Sequence, residues 1–418
     1  MKEYFTLEDF EFSGKTVLLR ADLNSPYNRE EKRIEDCERI REHAKTVRFL
    51  IEEKARVVIL AHQGRKGDED FTHLDQHAQL LSKHVGKKIK FVDDVIGKRA
   101  LEEIKNLKEG EAILLDNVRL LDEETQEKTP EEHSKGKLVQ TLSPLADFFV
   151  QDAFSASHRS HASIVGFSPI LPTIAGKIME RELKSVERIL GFSGNVFILG
   201  GTKAEDCFDI MEYFFENKPE SVEKVLTCGT VGEIFLAAKD INLGGPTLKF
   251  LKEKGLTELI PKARRFLENC NSRIEIPVDV AVEEEGKRKE VKVEQLPRES
   301  LILDIGSETV RKYSEVIKNA KTIVVKGPAG VYEKKGFEIG TKNVLEAVAR
   351  SKAFTLIGGG DTGLAIEKLG IEKEKFSYIS LGGGALITYL SGKPMPGIEA
   401  LKLSYKKFKG KIKEENLN

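Results

Sequence analysis

The 418-residue sequence has almost no net charge: 67 lysines and arginines stand against 68 aspartates and glutamates. Without a basic excess there is no global field to draw in nucleic acid or an anionic membrane. Any bound anion must be held by a local cluster. Cysteine is scarce, with four at positions 37, 207, 228 and 270 and no CxxC spacing. That pattern argues against a disulfide framework or a zinc site and for reduced packing thiols. No run of eighteen apolar residues occurs, so no segment reads as a membrane-spanning helix. The opening residues, MKEYFTLEDF, lack the apolar core of a secretory signal. The expectation is a cytoplasmic protein with neither nucleic acid nor membrane as partner. G-x-x-x-x-G-K-[ST], H-R-D and D-F-G are all absent, which excludes a P-loop and a protein-kinase site.

What is present is a repeating alternation. Apolar runs of strand length fall at 16–20, 56–61, 90–92, 112–115 and 147–150. A second set falls at 196–199, 224–226, 301–303, 322–325, 353–357 and 378–380. Helical patterns separate most of them, which predicts parallel sheets covered by helices. The chain is also too long for one ordinary core. The fold expected is α/β: two doubly wound, Rossmann-like parallel-sheet domains joined by a hinge helix. We expect an N-terminal domain over 1–168, a connecting helix over 169–190 and a C-terminal domain over 191–393. The tail 394–418 is expected to return to the first domain. Residues 273–293 break the pattern; they read as an antiparallel hairpin added to the second sheet.

In doubly wound sheets, ligands bind beyond the carboxyl ends of the strands. The unusual polar residues fall at those ends. In the first half they are Asp22 and Asn24, then His62, Gln63, Gly64 and Arg65, then Asn117 and Arg119. Asp152, Ser157, His158, Arg159 and His161 follow the last strand. Three of these four strand ends thus bring arginine or histidine to one rim, which predicts a pocket for a small, multiply charged anion. In the second half the strand ends carry glycine: Gly200 and Gly201 with Lys203, Gly229, Gly327 with Pro328, Gly358–Gly360 with Asp361, and 382–384. Bare backbone at helix starts suits a polyphosphate. Lys203 would add a point charge, and Asp361 beside phosphates would call for Mg2+. A rival reading takes Gly358-x-Gly360-x-x-Gly363 as a dinucleotide fingerprint. It needs an acid about twenty residues on, where Ser380 and Leu381 stand.

Nine stretches together, in this order and at these spacings, resemble phosphoglycerate kinase over essentially the whole chain. They are RADLNSP, AHQGR, LLDNVR, QDAFSASHRSHAS, ILGGTK, LDIGSET, KGPAGVYE, LIGGGDT and SLGGGA. Details such as HQGR resemble the archaeal branch. The resemblance implies reversible phosphoryl transfer between 1,3-bisphosphoglycerate and ADP, giving 3-phosphoglycerate and ATP, with Mg2+ and domain closure in a monomer. It implies that Asp22, Leu23, Asn24 and Arg39 meet the glycerate. His62, Gln63, Gly64, Arg65, Arg119 and Arg159 would hold the 3-phosphate side. Gly201, Lys203, Gly229, Pro328, Glu333, Gly359, Gly360, Asp361 and Thr362 would hold the nucleotide, with Asp361 on the metal. Arg39 and Lys203 would be the catalytic cations. The sequence departs from the family pattern at Cys207 (often Lys), Lys326 (Asn), Leu381 (Thr) and Lys66 (Pro). Lys326 is read either as restoring the charge missing at Cys207 or as pointing to solvent. A non-catalytic paralogue that senses one of the ligands is the other reading these departures leave open.

Overall fold

The computed structural model describes residues 2–415; the last three residues of the expected tail lie outside the described residues. The chain divides into two compact units, Met1–Lys184 with Pro394–Asn418, and Ser185–Lys393.

The first unit is built on a seven-stranded sheet. Its order is Phe5–Thr6, Thr173–Ala175, Phe148–Gln151, Thr16–Arg20, Arg56–Leu60, Ala112–Leu115, Ile89–Val92. Every neighbouring pair is parallel. Successive side chains of a strand point to opposite faces. Accordingly Val17, Leu19, Val57 and Ile59 pack in one apolar cluster, and Leu18, Val58 and Leu60 in another. Both faces are covered, which is why these strands read as unbroken apolar runs. Phe5–Thr6 and Thr173–Ala175 were not expected as strands. Two or three residues are too few to show a period, and the second is followed directly by the helix Lys177–Gly191.

The sheet order reverses between Phe148–Gln151 and Thr16–Arg20, the place where such sheets open a crevice. Asp152 lies there, fully buried. Its Oδ1 accepts the backbone N–H of Ile178 (2.8 Å) and of Met179 (3.2 Å), at the start of the helix Lys177–Gly191. A carboxylate is favoured at a helix N-terminus. Its Oδ2 pairs with His43 Nδ1 at 3.1 Å, and His43 Nε2 accepts the Asp22 N–H at 3.2 Å. The ring therefore carries its proton on Nδ1 and donates it to Asp152. A Cβ on Gly176 would lie 2.3 Å from Asp152 Oδ1; only glycine lets the chain pass so close. The helix Pro396–Glu415 belongs to this unit. Ser404 Oγ accepts the Thr173 N–H at 2.7 Å, and Gly397 donates to the Ser157 carbonyl at 2.8 Å.

The second unit has a six-stranded parallel sheet. Its order is Ile274–Glu275, Val222–Thr227, Asn195–Leu199, Thr322–Lys326, Phe354–Gly358, Tyr378–Ile379. The order reverses between Asn195–Leu199 and Thr322–Lys326. The antiparallel hairpin forms, from Asp279–Glu284 and Lys287–Lys292, but it is not an addition to this sheet. With Ile302–Ile305 it makes a separate three-stranded sheet. The reason is polarity. Lys287–Lys292 buries only Val291, and so polar a strand cannot sit in a sheet covered on both faces.

Asp152→Ala removes a buried carboxylate from two N–H groups and a histidine. It is expected to cost about 2–4 kcal/mol of unfolding free energy. Urea unfolding followed by circular dichroism measures this, and a loss below about 1 kcal/mol would show that the network is not what holds the switch point.

Candidate active site

In the first unit, buried charge is matched by buried charge. Arg20 ends an apolar strand and is 1 % exposed. Its Nε donates to Ser163 Oγ (2.7 Å), Nη1 to the Ala21 carbonyl (2.5 Å) and Nη2 to His62 Nδ1 (3.0 Å). The Ser163 hydroxyl passes this on, donating to Glu124 Oε1 at 2.6 Å. Glu124 is fully buried, and burial raises its carboxyl despite the pull of Arg20. A guanidinium can only donate, so His62 Nδ1 is an acceptor and the proton of the ring stays on Nε2. Burial and Arg20 hold His62 well below its ordinary value, so it is neutral. Burial, then Arg159 and Arg119, likewise push His161 down to about 3.

Asp22 follows the same strand and is buried. Burial opposes its charge, but Arg39 and the Ser155 hydroxyl outweigh it and hold the carboxyl far below its usual range. Arg39 Nη1 lies 3.2 Å from Asp22 Oδ2 and donates to the Asn24 carbonyl at 2.8 Å. Ser155 Oγ also donates to Oδ2, and the Asn24 N–H to Oδ1 at 3.1 Å. An ionised carboxyl has about four acceptor sites; among the described residues three are occupied. Leu23, beside them, is wholly buried and offers packing.

The next strand ends interlock with this one. Gly64 donates to Asn24 Oδ1 at 2.8 Å and accepts from Arg119 Nη1. Gln63 Oε1 accepts the Ser25 N–H (2.8 Å) and pairs with His77 Nε2 (3.1 Å). Burial, then Arg159, Arg20 and Arg65, push Arg119 down to about 10. Two of the expected arginines, 65 and 159, thus lie near enough to Arg119 to act on its charge. Arg65 is exposed and Arg159 half-buried. Arg20, His43, Glu124, Ser155 and Ser163 were not singled out from the sequence. The signal for Arg20 was there: a charged residue closing the buried run TVLLR.

The second unit presents backbone. Gly200 donates to the Lys326 carbonyl (2.8 Å), Gly201 to that of Pro328 (2.8 Å) and Gly229 to that of Ala329 (2.9 Å). A Cβ on Gly327 would stand 2.2 Å from the Gly200 carbonyl oxygen, and its φ is +84°. The buried Thr362 hydroxyl accepts the Gly327 N–H (2.9 Å) and donates to the Gly358 carbonyl (3.0 Å), tying two turns together. Gly359, at φ +88°, leads into the helix Gly360–Lys368, and a Cβ on Gly359 or Gly360 would meet nothing within 4 Å. The start of a helix with room beside it suits phosphate. Asp361 is exposed in the first turn of that helix. Gly201, Gly229, Pro328, Glu333 and Asp361 line one cavity of about 380 Å³, together with Leu236, Phe250 and Pro277. Among the described residues, Lys203, Gly359, Gly360 and Thr362 are not part of its wall.

Lys326 does not point to solvent. It is 6 % exposed, and its Nζ lies 3.3 Å from Asp206 Oδ2 and 3.5 Å from the Lys203 carbonyl. Its charge acts on the wholly buried Cys207, whose thiol burial pushes up to about 12. Nothing in the structure explains Leu381.

A family model described as phosphoglycerate kinase matches residues 7–393. A phosphoglycerate kinase from Sulfurisphaera tokodaii is 44 % identical over 408 residues, which is 97 % of either chain. Among solved structures, phosphoglycerate kinase from Pyrococcus horikoshii OT3 superposes with a TM-score of 0.87 at 40 % identity. It covers 97 % of this chain and 100 % of its own. That from Coxiella burnetii gives 0.81 at 30 % identity, covering 95 % and 98 %.

If Lys326 supplies charge in place of residue 207, Lys326→Asn slows phosphoryl transfer by about tenfold. Steady-state turnover with 3-phosphoglycerate and ATP decides; unchanged or faster turnover rules the role out.

Proposed function

The chain belongs to the phosphoglycerate kinase family, and we propose how its two polar rims divide the work of that enzyme. It is a kinase that moves a phosphoryl group reversibly between 1,3-bisphosphoglycerate and ADP, giving 3-phosphoglycerate and ATP. In this proposal the first unit holds the phosphoglycerate. The observation that carries it is the buried, ionised Asp22 beside Arg39, together with Arg119 and the Arg65 and Arg159 that act on its charge. The open acceptor site of Asp22 takes the glycerate hydroxyl, and Asn24 and Arg39 face the carboxyl end. The three arginines anchor the 3-phosphate, with neutral His62 offering its Nε2–H.

The second unit holds ATP or ADP. The base lies in the cavity lined by Gly201, Gly229 and Pro328, and Glu333 reaches the ribose. The backbone of Gly359, Gly360 and Thr362 takes the phosphates. Asp361 fits a magnesium ion: it is an exposed carboxylate at a phosphate-binding helix start, with no hydrogen-bond or ion-pair partner among the described residues. When bound there, the ion would neutralise phosphate charge.

A β-phosphate oxygen of ADP attacks the phosphorus of the acyl phosphate in line. The new P–O bond forms as the bond to the carboxyl oxygen breaks, and 3-phosphoglycerate leaves as its carboxylate. Arg39 and Lys203 face the charge that spreads over the transferring group. Hinge bending that excludes water is part of the proposal, as is action by a monomer in the cytoplasm. The four cysteines are free thiols, which suits a reducing compartment. Among the described residues, no helix is long and apolar enough to cross a membrane.

Purified protein given 3-phosphoglycerate and ATP with magnesium is expected to release ADP in a coupled assay. Arg39→Ala should lower kcat by about 10²–10³ with the KM for ATP little changed. Protein that binds both ligands and transfers nothing would end this reading.

A further inference from the structure

Glu233 lies in the helix Gly229–Ala238 and is 7 % exposed. Its neighbours Val231, Ile234 and Phe235 are wholly buried, yet a carboxyl stands among them. Its Oε2 has no hydrogen-bond partner among the described residues. Burial without a partner forfeits hydration, and folded proteins rarely tolerate it without a use. Among the described residues no cation offsets the cost: burial alone pushes the carboxyl up to about 8, so it is mostly protonated at neutral pH.

The same carboxyl lines the cavity of about 380 Å³. Gly229, Thr230, Glu233 and Leu236 all reach that wall, on one side of the helix. Four residues place Glu233 about 6 Å along the axis from Gly229. Along this helix the wall runs from bare backbone at Gly229 to the apolar side chain of Leu236, and both suit a flat base. The other carboxyls of the wall are accounted for. Asp304 is held by Arg288 (2.8 Å) and by the Gly340 N–H (2.7 Å), while Glu333 and Asp361 are exposed.

We propose that Glu233 reads the base of the nucleotide, its carbonyl oxygen accepting a hydrogen bond from the 6-amino group of adenine. The inference rests on the nucleotide reading of this unit. A protonated carboxyl presents one acceptor and one O–H donor. The 6-amino group and the adjacent ring nitrogen of adenine present the complementary pair, the same edge that amide side chains read. A purine without the amino group leaves the carbonyl oxygen unpaired in an apolar wall.

The test compares ADP with purine riboside 5′-diphosphate, which lacks only the 6-amino group. Binding is measured by calorimetry to the wild type, Glu233→Gln and Glu233→Leu, with 3-phosphoglycerate binding as the check on folding. The wild type should favour ADP by about tenfold. Glu233→Gln, which keeps an acceptor and a donor, should retain the preference. Glu233→Leu should reduce it to within about twofold. No preference in the wild type, or the same preference in Glu233→Leu, overturns the inference. Absence of wild-type binding to either diphosphate is a different result: it overturns the nucleotide reading and takes this inference with it.

Discussion

A parallel sheet brings the carboxyl ends of all its strands to one edge, and the chemistry of this chain depends on that constraint. Both faces of the seven-stranded sheet are packed with apolar side chains, so polar groups have nowhere to gather except the ends. The order reversal then decides where along the edge they gather. In the first unit it falls between the strands that lead to Asp22 and to Asp152. In the second it falls between those that lead to Gly200 and to Gly327. The same topology yields two different sites because the residues after the strands differ in kind.

In the first unit the problem is holding charge without water. Arg20 and Asp22 are both buried, and neither could stay charged alone at that depth. Each is joined to an opposite charge and to hydroxyls, through Ser163 to Glu124 and through Ser155 and Arg39. The histidines nearby, His62 and His161, take the other course and stay neutral. The result is a rim whose charges are held in place by the protein's own groups, the preorganisation that the proposed reaction calls for. The second unit solves the opposite problem. In the nucleotide proposal the ligand supplies the charge, and the protein supplies close backbone, as at Gly200 and Gly327, and a helix start.

Most of the framework was legible in the sequence. Strands buried on both faces leave unbroken apolar runs, and the strand ends carried their arginines and glycines openly. What was missed has physical reasons. Thr173–Ala175 is too short for a pattern. The hairpin was read correctly as antiparallel, but a strand as polar as Lys287–Lys292 cannot enter a sheet covered on both faces, and the hairpin pairs with the nearby Ile302–Ile305 instead. Site residues inside the network, such as His43 and Ser155, owe their importance to partners more than one hundred residues away, which no local pattern records. Glu233 was invisible for the opposite reason. A glutamate in a helix ordinarily marks the solvated face, and only burial shows that this one does not.

The pairing of Cys207 with Lys326 shows how a departure from a family pattern becomes intelligible once placed. Lys326 closes the strand Thr322–Lys326, and Cys207 opens a turn of the helix Ala204–Asn217. The two are close enough for the lysine to act electrostatically on the thiol. Lysine at both positions would bury two ammonium groups beside each other, with Asp206 and Glu205 to offset them. Like charges so placed drive one another toward the neutral form. A buried cation at 326 thus favours a small neutral group at 207, and the burial of the Cys207 thiol keeps it protonated. The two positions are one choice about which element carries the charge. Here the strand carries it, close to Lys203 and the glycine turns, and the helix has given it up.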